Sequence, residues 1–307
     1  MHQIITIGSA LVDVFIHTPA FKKVNSPQGA MLCHTHGDKL ELKTLNVYTG
    51  GGGSNSAVGF ARLGFKTAVV CETGRDNFAY LVKKDFIDNQ VDTKLIIEEK
   101  REQTGGSIIL VCNEGERTVL VHRGASSLLD PFDISGYWLS QAQRIHLTSI
   151  GGRQPTLEKI FSVVKNSSQT KLSWNPGKSE LSLLANRQLS IKQVPADIFI
   201  VNQREWDLVN NVQEEILQKI DLVVVTAGSK GGDVYQQGQH FTHFPALSSK
   251  VVDTTGAGDS FSVGFVAAIM LGKSAQEAAQ LGAKNAASVV AYYGAKPGMM
   301  FKKEWLE

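Results

Sequence analysis

Short unbroken apolar runs alternate with longer amphipathic stretches along most of this chain, and the alternation predicts strands and helices in turn. Ile4–Ile7 reads as a buried strand, and residues 11–15 continue extended beyond Gly8-Ser9, interrupted by Asp13. A lone acid there is either an edge charge facing water or a site residue. Residues 18–37 carry Pro, Gly, Asn and two histidines without periodicity and read as loop. Residues 39–45 alternate, with Leu40 and Leu42 on one face, which predicts a strand covered on one side. A helix over 56–63 follows the glycine run Gly50-Gly51-Gly52-Gly53, and a strand over 67–71 follows the helix. Residues 78–89 place Phe78, Leu81, Val82 and Phe86 on one side of a helix.

Strands over 106–112 and 118–122 flank Asn113-Glu114-Gly115-Glu116 and predict a hairpin. Strands at Arg144–Leu147, Lys171–Trp174, 198–201 and 221–226, with a helix over 155–165, continue the series. Their continuous β-branched runs suit a parallel sheet covered on both faces. Residues 261–271 are apolar all round and predict a buried helix, whereas 274–293 are Ala-rich and amphipathic. The expected fold is a doubly wound α/β domain spanning 1–307, without an internal repeat or an interdomain linker.

Composition narrows the function classes. With 42% apolar and 20% charged residues the chain is an ordinary globular protein. A formal charge of +2 and no long basic run argue against nucleic acid. The first residues lack a basic segment and contain Asp13, unlike a signal peptide, and residues 261–271 are too short to span a bilayer. Cys33, Cys71 and Cys112 are odd in number and widely spaced, which suggests free thiols in a reducing, cytoplasmic setting. His34 and His36 adjoin Cys33, but no second ligand pair follows at a metal-binding spacing.

The chemistry centres on Val251-Val252-Asp253-Thr254-Thr255-Gly256-Ala257-Gly258-Asp259, which precedes the buried helix. A helix start offers unpaired N–H groups and partial positive charge to an anion. Gly256 and Gly258 allow close backbone approach, and Asp259 in the first turn sets a carboxylate beside the same position. That pairing of proton acceptor and anion cradle suits phosphoryl transfer. The bland alternative is a glycine turn with a first-turn acid. Gly50 to Asn55 forms a second glycine-rich strand-to-helix turn, as in dinucleotide folds. No acid ends a following strand at the expected distance, so presenting Asn55 to a polyhydroxy ligand fits better. Gly272-Lys273-Ser274 mimics the tail of a P-loop but follows a helix and reads as a helix–helix turn.

Asp253-Thr254-Thr255-Gly256-Ala257-Gly258-Asp259, the upstream Gly50-to-Asn55 turn, Asn202-Gln203-Arg204-Glu205 and Thr226-Ala227-Gly228-Ser229-Lys230-Gly231 resemble, in that set, the ribokinase-like (PfkB) carbohydrate kinases. Gly124-Ala125 and Gly294-Ala295 fall where that family has Gly-Ala pairs. The resemblance implies a mostly parallel central sheet flanked by helices, with a small discontinuous β lid from about 14–49 and 103–123 that pairs into dimers in several relatives. It implies ATP-dependent phosphorylation of a hydroxyl on a sugar, or on a purine nucleoside, with Asp259 as general base and the N–H groups of Gly256, Ala257 and Gly258 as anion hole. Asp13, Gly51, Gly52 and Asn55 would hold the acceptor. Thr226, Gly228, Ser229, Gly231 and Asn285 would contact ATP, and Asn202 and Glu205 would organise phosphates and Mg²⁺ through water. Asp253 and Thr255 match a monovalent-cation loop that takes K⁺. Leu11 and Gly52 depart from the ribokinase pattern, and Thr148-Ser149-Ile150-Gly151-Gly152 lacks the acid expected at a ribose site. A catalytically inactive sugar- or nucleotide-sensing relative is the reading from another class.

Overall fold

The computed structural model describes residues 1–27, 29–111 and 117–307. The predicted turn at Asn113 to Glu116, and Cys112 with it, lies outside the described residues. The chain begins with β1 (Ile4–Ile7), β2 (Leu11–His17), β3 (Lys22–Ser26), β4 (Gly29–Cys33) and β5 (Thr44–Gly50). It continues with α1 (Gly52–Arg62), β6 (Thr67–Val70), β7 (Glu72–Thr73), α2 (Asn77–Asp88) and β8 (Ile97–Glu98). Next come β9 (Gly105–Val111), β10 (Arg117–His122), α3 (Gly136–Ser140), β11 (Arg144–Leu147), α4 (Gln154–Lys165), β12 (Lys171–Trp174) and α5 (Lys178–Ala185). The last part holds β13 (Ile198–Asn202), α6 (Gln203–Asp207), α7 (Gln213–Lys219), β14 (Leu222–Thr226), β15 (Gly232–Gln236) and β16 (Gln239–Phe244). Three helices close it: α8 (Ala257–Met270), α9 (Ala275–Val289) and α10 (Lys302–Leu306).

The large sheet has eight strands in the order β16-β15-β14-β13-β12-β11-β1-β6. The pairs from β14 to β6 are parallel, and β15 and β16 add antiparallel at one edge. Side chains alternate between its faces, and so do its two cores. Ile5, Ile7, Leu147 and Trp174 pack with Leu157, Phe161 and Leu181 of α4 and α5. Ile4, Ile200 and Val224 pack on the other face with Phe60 of α1, Phe261 and Phe265 of α8 and Ala278 of α9. Helices on both faces of a mostly parallel sheet make the doubly wound α/β fold that the apolar runs predict. Helix α8 lies between α1 and α9, so the all-round apolar character of residues 261–268 is explained by burial on every side, while Leu271 at the helix end is exposed. No helix among the described residues is long and apolar enough to cross a membrane.

The smaller sheet has four strands in the order β10-β9-β2-β5. Asp13 of β2 stands opposite Tyr48 of β5 and Ser107 of β9. Phe15 meets the rings of Tyr48 and Tyr293 edge-on, at 5.7 and 6.2 Å between centroids, which fastens this sheet to the end of α9.

Several expected boundaries are corrected. Residues 18–37 contain the hairpin β3–β4, whose mostly exposed strands, one polar and one a short apolar run, carry no alternation to reveal them. The strand expected over 39–45 runs instead over Thr44–Gly50, because pairing of Thr44 with His17, rather than the Leu40/Leu42 alternation, sets its start. Helix α1 opens at Gly52, ahead of the expected residue 56, and this carries Asn55 into its first turns. On α2 the buried face is Ala79, Val82 and Phe86, and Phe78 is exposed. The hairpin β15–β16 was not anticipated, since His240 and His243 break its pattern. Cys33 and Cys71 are free thiols.

Candidate active site

The turn before α8 brings the expected residues together. Gly256 caps α8 with φ of 76°, a left-handed conformation, and a Cβ there would lie 2.4 Å from the Ala295 Cβ. Ser260 N donates to Gly256 O at 2.9 Å and closes the first turn. Ala257 N is turned back to Thr254 O at 3.3 Å, a long bond. Gly258 is exposed, and a Cβ there would meet nothing within 4 Å, so the helix mouth is open. Asp253 shapes the approach: its Oδ1 accepts from Thr255 N at 3.0 Å and Thr255 Oγ1 at 2.8 Å, and its Oδ2 accepts from Gly294 N at 3.0 Å.

Asp259 projects from the first turn of α8 toward α1. Asn55 Nδ2 donates to its Oδ2 at 2.7 Å. Burial pushes the Asp259 carboxyl above its ordinary range, against the Asn55 hydrogen bond and the charge of Lys296, which pull it down. Asn55, expected to hold the acceptor, therefore holds the candidate base, and its Oδ1 is buried with no partner among the described residues. The α1 turn can reach this position because it sits on Gly8-Ser9. Ser54 N donates to Ser9 O at 3.0 Å, Gly52 N donates to Ser9 Oγ at 3.2 Å, and a Cβ on Gly53 would lie 2.6 Å from the Gly8 carbonyl carbon. Gly51 has φ of 93° and leaves no room for a side chain against Ser9, and Gly52 abuts Thr148.

Beside this turn, Leu11, Asp13, Ser107, Ile109, Val119, Val121 and Thr255 line a cavity of about 230 Å³. Asp13 is buried rather than an edge charge, and Ser107 Oγ donates to its Oδ1. Burial raises the Asp13 carboxyl, opposed by the Ser107 bond and Lys296 and reinforced by Asp253. Gly50 is a glycine for steric cause, since a Cβ would lie 2.2 Å from Asp13 Oδ2. Ser107 was not singled out from the sequence, where a lone serine in a strand carries no signal.

Across the mouth, Asn202 ends β13 and caps α6. Its Oδ1 accepts from Glu205 N at 3.0 Å while Glu205 Oε2 accepts from Asn202 N at 2.9 Å, a reciprocal capping box. Burial raises the Glu205 carboxyl, and the neighbouring Asp259 charge adds to that shift. Thr226 ends β14, and Gly228 follows at φ of 58° with open space around it. Ser229 is exposed, whereas Gly231, at φ of 83°, is wedged 1.9 Å short of the Phe244 carbonyl oxygen for any Cβ. Asn285 is buried; its Nδ2 donates to Ser260 O at 2.8 Å and its Oδ1 accepts from Met300 N at 3.2 Å, bonds that brace α8. Beneath the 148–152 loop lies Glu180, fully buried. It accepts from Ile150 N at 2.8 Å, Gly152 N at 2.9 Å and Gly177 N at 3.0 Å and is consumed by the backbone.

Residues 1–300 match the family model of the pfkB family carbohydrate kinases. The chain belongs to that family. It is 28% identical to a ribokinase of Haemophilus influenzae over 320 residues, covering 100% of this chain and 98% of that one. Among solved structures, a putative ribokinase II from E. coli in complex with ATP and Mg²⁺ superposes with a TM-score of 0.80 at 20% identity, over 100% of this chain and 98% of that one. A Methanocaldococcus jannaschii nucleoside kinase gives 0.77 at 21% identity, over 99% and 97%. The ribokinase-like fold expected from the motifs is thus the observed one, and this chain is a carbohydrate kinase of the pfkB family.

Proposed function

We propose that this kinase transfers the terminal phosphoryl group of ATP to a hydroxyl of a sugar bound in the Asp13 cavity, with Asp259 as general base. One observation carries the reading: a half-buried carboxylate, oriented by Asn55, sits in the first turn of a helix whose glycine mouth is open to an anion. The acceptor hydroxyl oxygen attacks the terminal phosphorus, the bond to the bridging oxygen of ADP breaks, and Asp259 takes the hydroxyl proton. Such a transfer asks for positioning and charge stabilisation more than covalent work. The first N–H groups of α8, that of Gly258 and that of Ala257 on release of its long bond to Thr254 O, would line the developing negative charge. A raised Asp259 carboxyl is a stronger base once ionised.

In this reading Asp13 and Ser107 fix the acceptor's hydroxyls, and Leu11, Ile109, Val119 and Val121 cover its apolar face, which makes the smaller sheet the lid. Thr226, Gly228, Ser229 and Gly231 form the nucleotide loop. Glu205, a hard oxygen donor beside Asp259, suits Mg²⁺ held through water, and the ion would neutralise phosphate charge. Asp253 and Thr255 fix the backbone that would take K⁺. The lid's outer face carries Leu45, Val47, Ile108 and Leu120, all exposed, which supports pairing of two copies there. A cytoplasmic location fits the free thiols. The apolar cavity wall also suits a purine nucleoside as acceptor, the second reading.

The test is ADP release with Mg²⁺-ATP across pentoses, hexoses and nucleosides, with and without K⁺. Sugar-dependent release that falls by roughly 10²–10⁴-fold in Asp259→Asn supports the proposal. Release with nucleosides alone favours the second reading, and full turnover in Asp259→Asn defeats both.

A further inference from the structure

A buried, fully paired ammonium lies outside the residues assigned above. Lys296 follows the Gly294-Ala295 turn and is 5% exposed. Its Nζ donates to Thr49 Oγ1 at 2.8 Å, Ser54 Oγ at 2.6 Å and Asp85 Oδ2 at 2.6 Å, so all three ammonium protons have acceptors. Thr49 Oγ1 also donates to Asp85 Oδ2 at 2.6 Å. Asp85 Oδ1 accepts from Asn89 Nδ2 at 3.0 Å, and Arg62 bridges Asn89 Oδ1 at 2.8 Å to the Lys296 carbonyl oxygen at 2.6 Å. This closed network joins four pieces of chain: the last turn of the lid strand β5, the start of α1, the body of α2 and the segment after α9.

We propose that Lys296 is a positioning residue for phosphoryl transfer, its buried ammonium locking the turn that carries Asn55 and supplying the positive charge that faces the buried Asp13 carboxylate and the half-buried Asp259 carboxylate. The proposal rests on the reading of Asp259 as general base. Ser54, held by Lys296, precedes Asn55, whose amide orients Asp259. Thr49, also held by it, lies one residue from Gly50, on which the Asp13 carboxylate rests. A buried ion pair gives little net stability compared with apolar packing of the same volume. Keeping an ammonium here makes physical sense if its field is used. Two carboxylates lie nearby, Asp13 buried and Asp259 half-buried, both raised by desolvation, and Lys296 lowers both. The groups facing Asp259 are Asn55 on α1, Glu205 on α6 and Lys296. Those facing Asp13 are Ser107, Asp253 and Lys296. Lys296 itself faces Asp85, Arg62 and Cys71.

The experiment is a pH titration of ¹³Cγ-labelled aspartate by NMR, with the Asp259 signal assigned by its loss in Asp259→Asn. It needs no ligand. Lys296→Met should raise the Asp259 midpoint by about 1 pH unit. If the lone Asp85 left behind prevents folding, Lys296→Met with Asp85→Leu removes both charges and should give the same rise. Asp85→Asn breaks the same ion pair but keeps the ammonium, and should leave the midpoint unraised. An unmoved midpoint in folded Lys296→Met or in the double variant overturns the proposal, as does an equal rise in Asp85→Asn, which would mark a structural brace. These outcomes are separate from the turnover of Asp259→Asn, so failure here leaves the kinase reading standing.

Discussion

Asn55 Nδ2 reaches Asp259 Oδ2 at 2.7 Å across 204 positions of sequence, joining the first turns of α1 and α8 in one hydrogen bond. Both glycine-rich turns therefore serve one carboxylate. Asn55→Ala removes the donor that orients Asp259 and favours its ionised form. Turnover should fall by about 10²-fold, and the acid limb of the kcat profile should move to higher pH, because the base must still lose its proton to act. A profile with the wild-type acid limb would show that the amide does not tune Asp259.

Asp13 and Ser107 face each other across β2 and β9 at the cavity floor. Asp13→Asn keeps the volume and removes the charge. The KM for the acceptor should rise by about 10-fold or more, as expected for losing a charged hydrogen bond to a substrate hydroxyl, with the KM for ATP unchanged. Equal changes in both constants would point to a disturbed lid instead.

The two glycines of the α8 turn separate structure from chemistry. Gly256 is left-handed and abuts Ala295, so Gly256→Ala should lose on the order of 1–3 kcal/mol of stability, read by chemical denaturation. Gly258 has open space around it, so Gly258→Ala should fold with an unchanged melting temperature. Its added methyl would occupy the anion's place, and kcat/KM for ATP should drop at least ~10-fold. A destabilised but fully active Gly258→Ala would contradict this assignment.

Much of this was legible because its causes are local. The apolar runs at Ile4–Ile7 and Leu222–Thr226 declare strands buried on two faces, and Asp259 declares itself by the glycines before it. The bonds of Asn55, Asn285 and Glu180 were hidden for the opposite reason: their partners are 204, 25 and 30 positions away and only the folded chain brings them together. Lys296 in Gly-Ala-Lys-Pro looks like a surface turn lysine until Thr49, Ser54 and Asp85 close on it. Strands β3 and β4 stayed hidden because they pair with each other on the surface and satisfy their backbone without burying a face.

Glu72 gives a prediction that does not depend on the kinase reading. It lies on β7, is 2% exposed, and its Oε2 has no partner among the described residues. Burial pushes its carboxyl up to about 8, helped by Asp133, Glu99 and Asp130 and opposed by Arg153. The folded state thus holds a proton here that the unfolded chain, with an ordinary glutamate, releases near 4.5. Stability falls with pH wherever the folded state binds more protons, so this group weakens the fold from about 4.5 up to about 8. His146 acts in the opposite sense below 6.5, since burial holds it neutral down to about 3 in the fold, so stability gained from it rises with pH and is complete by 6.5. Between 6.5 and about 8 the Glu72 effect stands clear of it. Melting temperature should therefore decline over that interval, and Glu72→Gln, which carries a permanent neutral amide, should flatten the decline. A slope unchanged by the substitution would show that Glu72 ionises in the fold as it does in water.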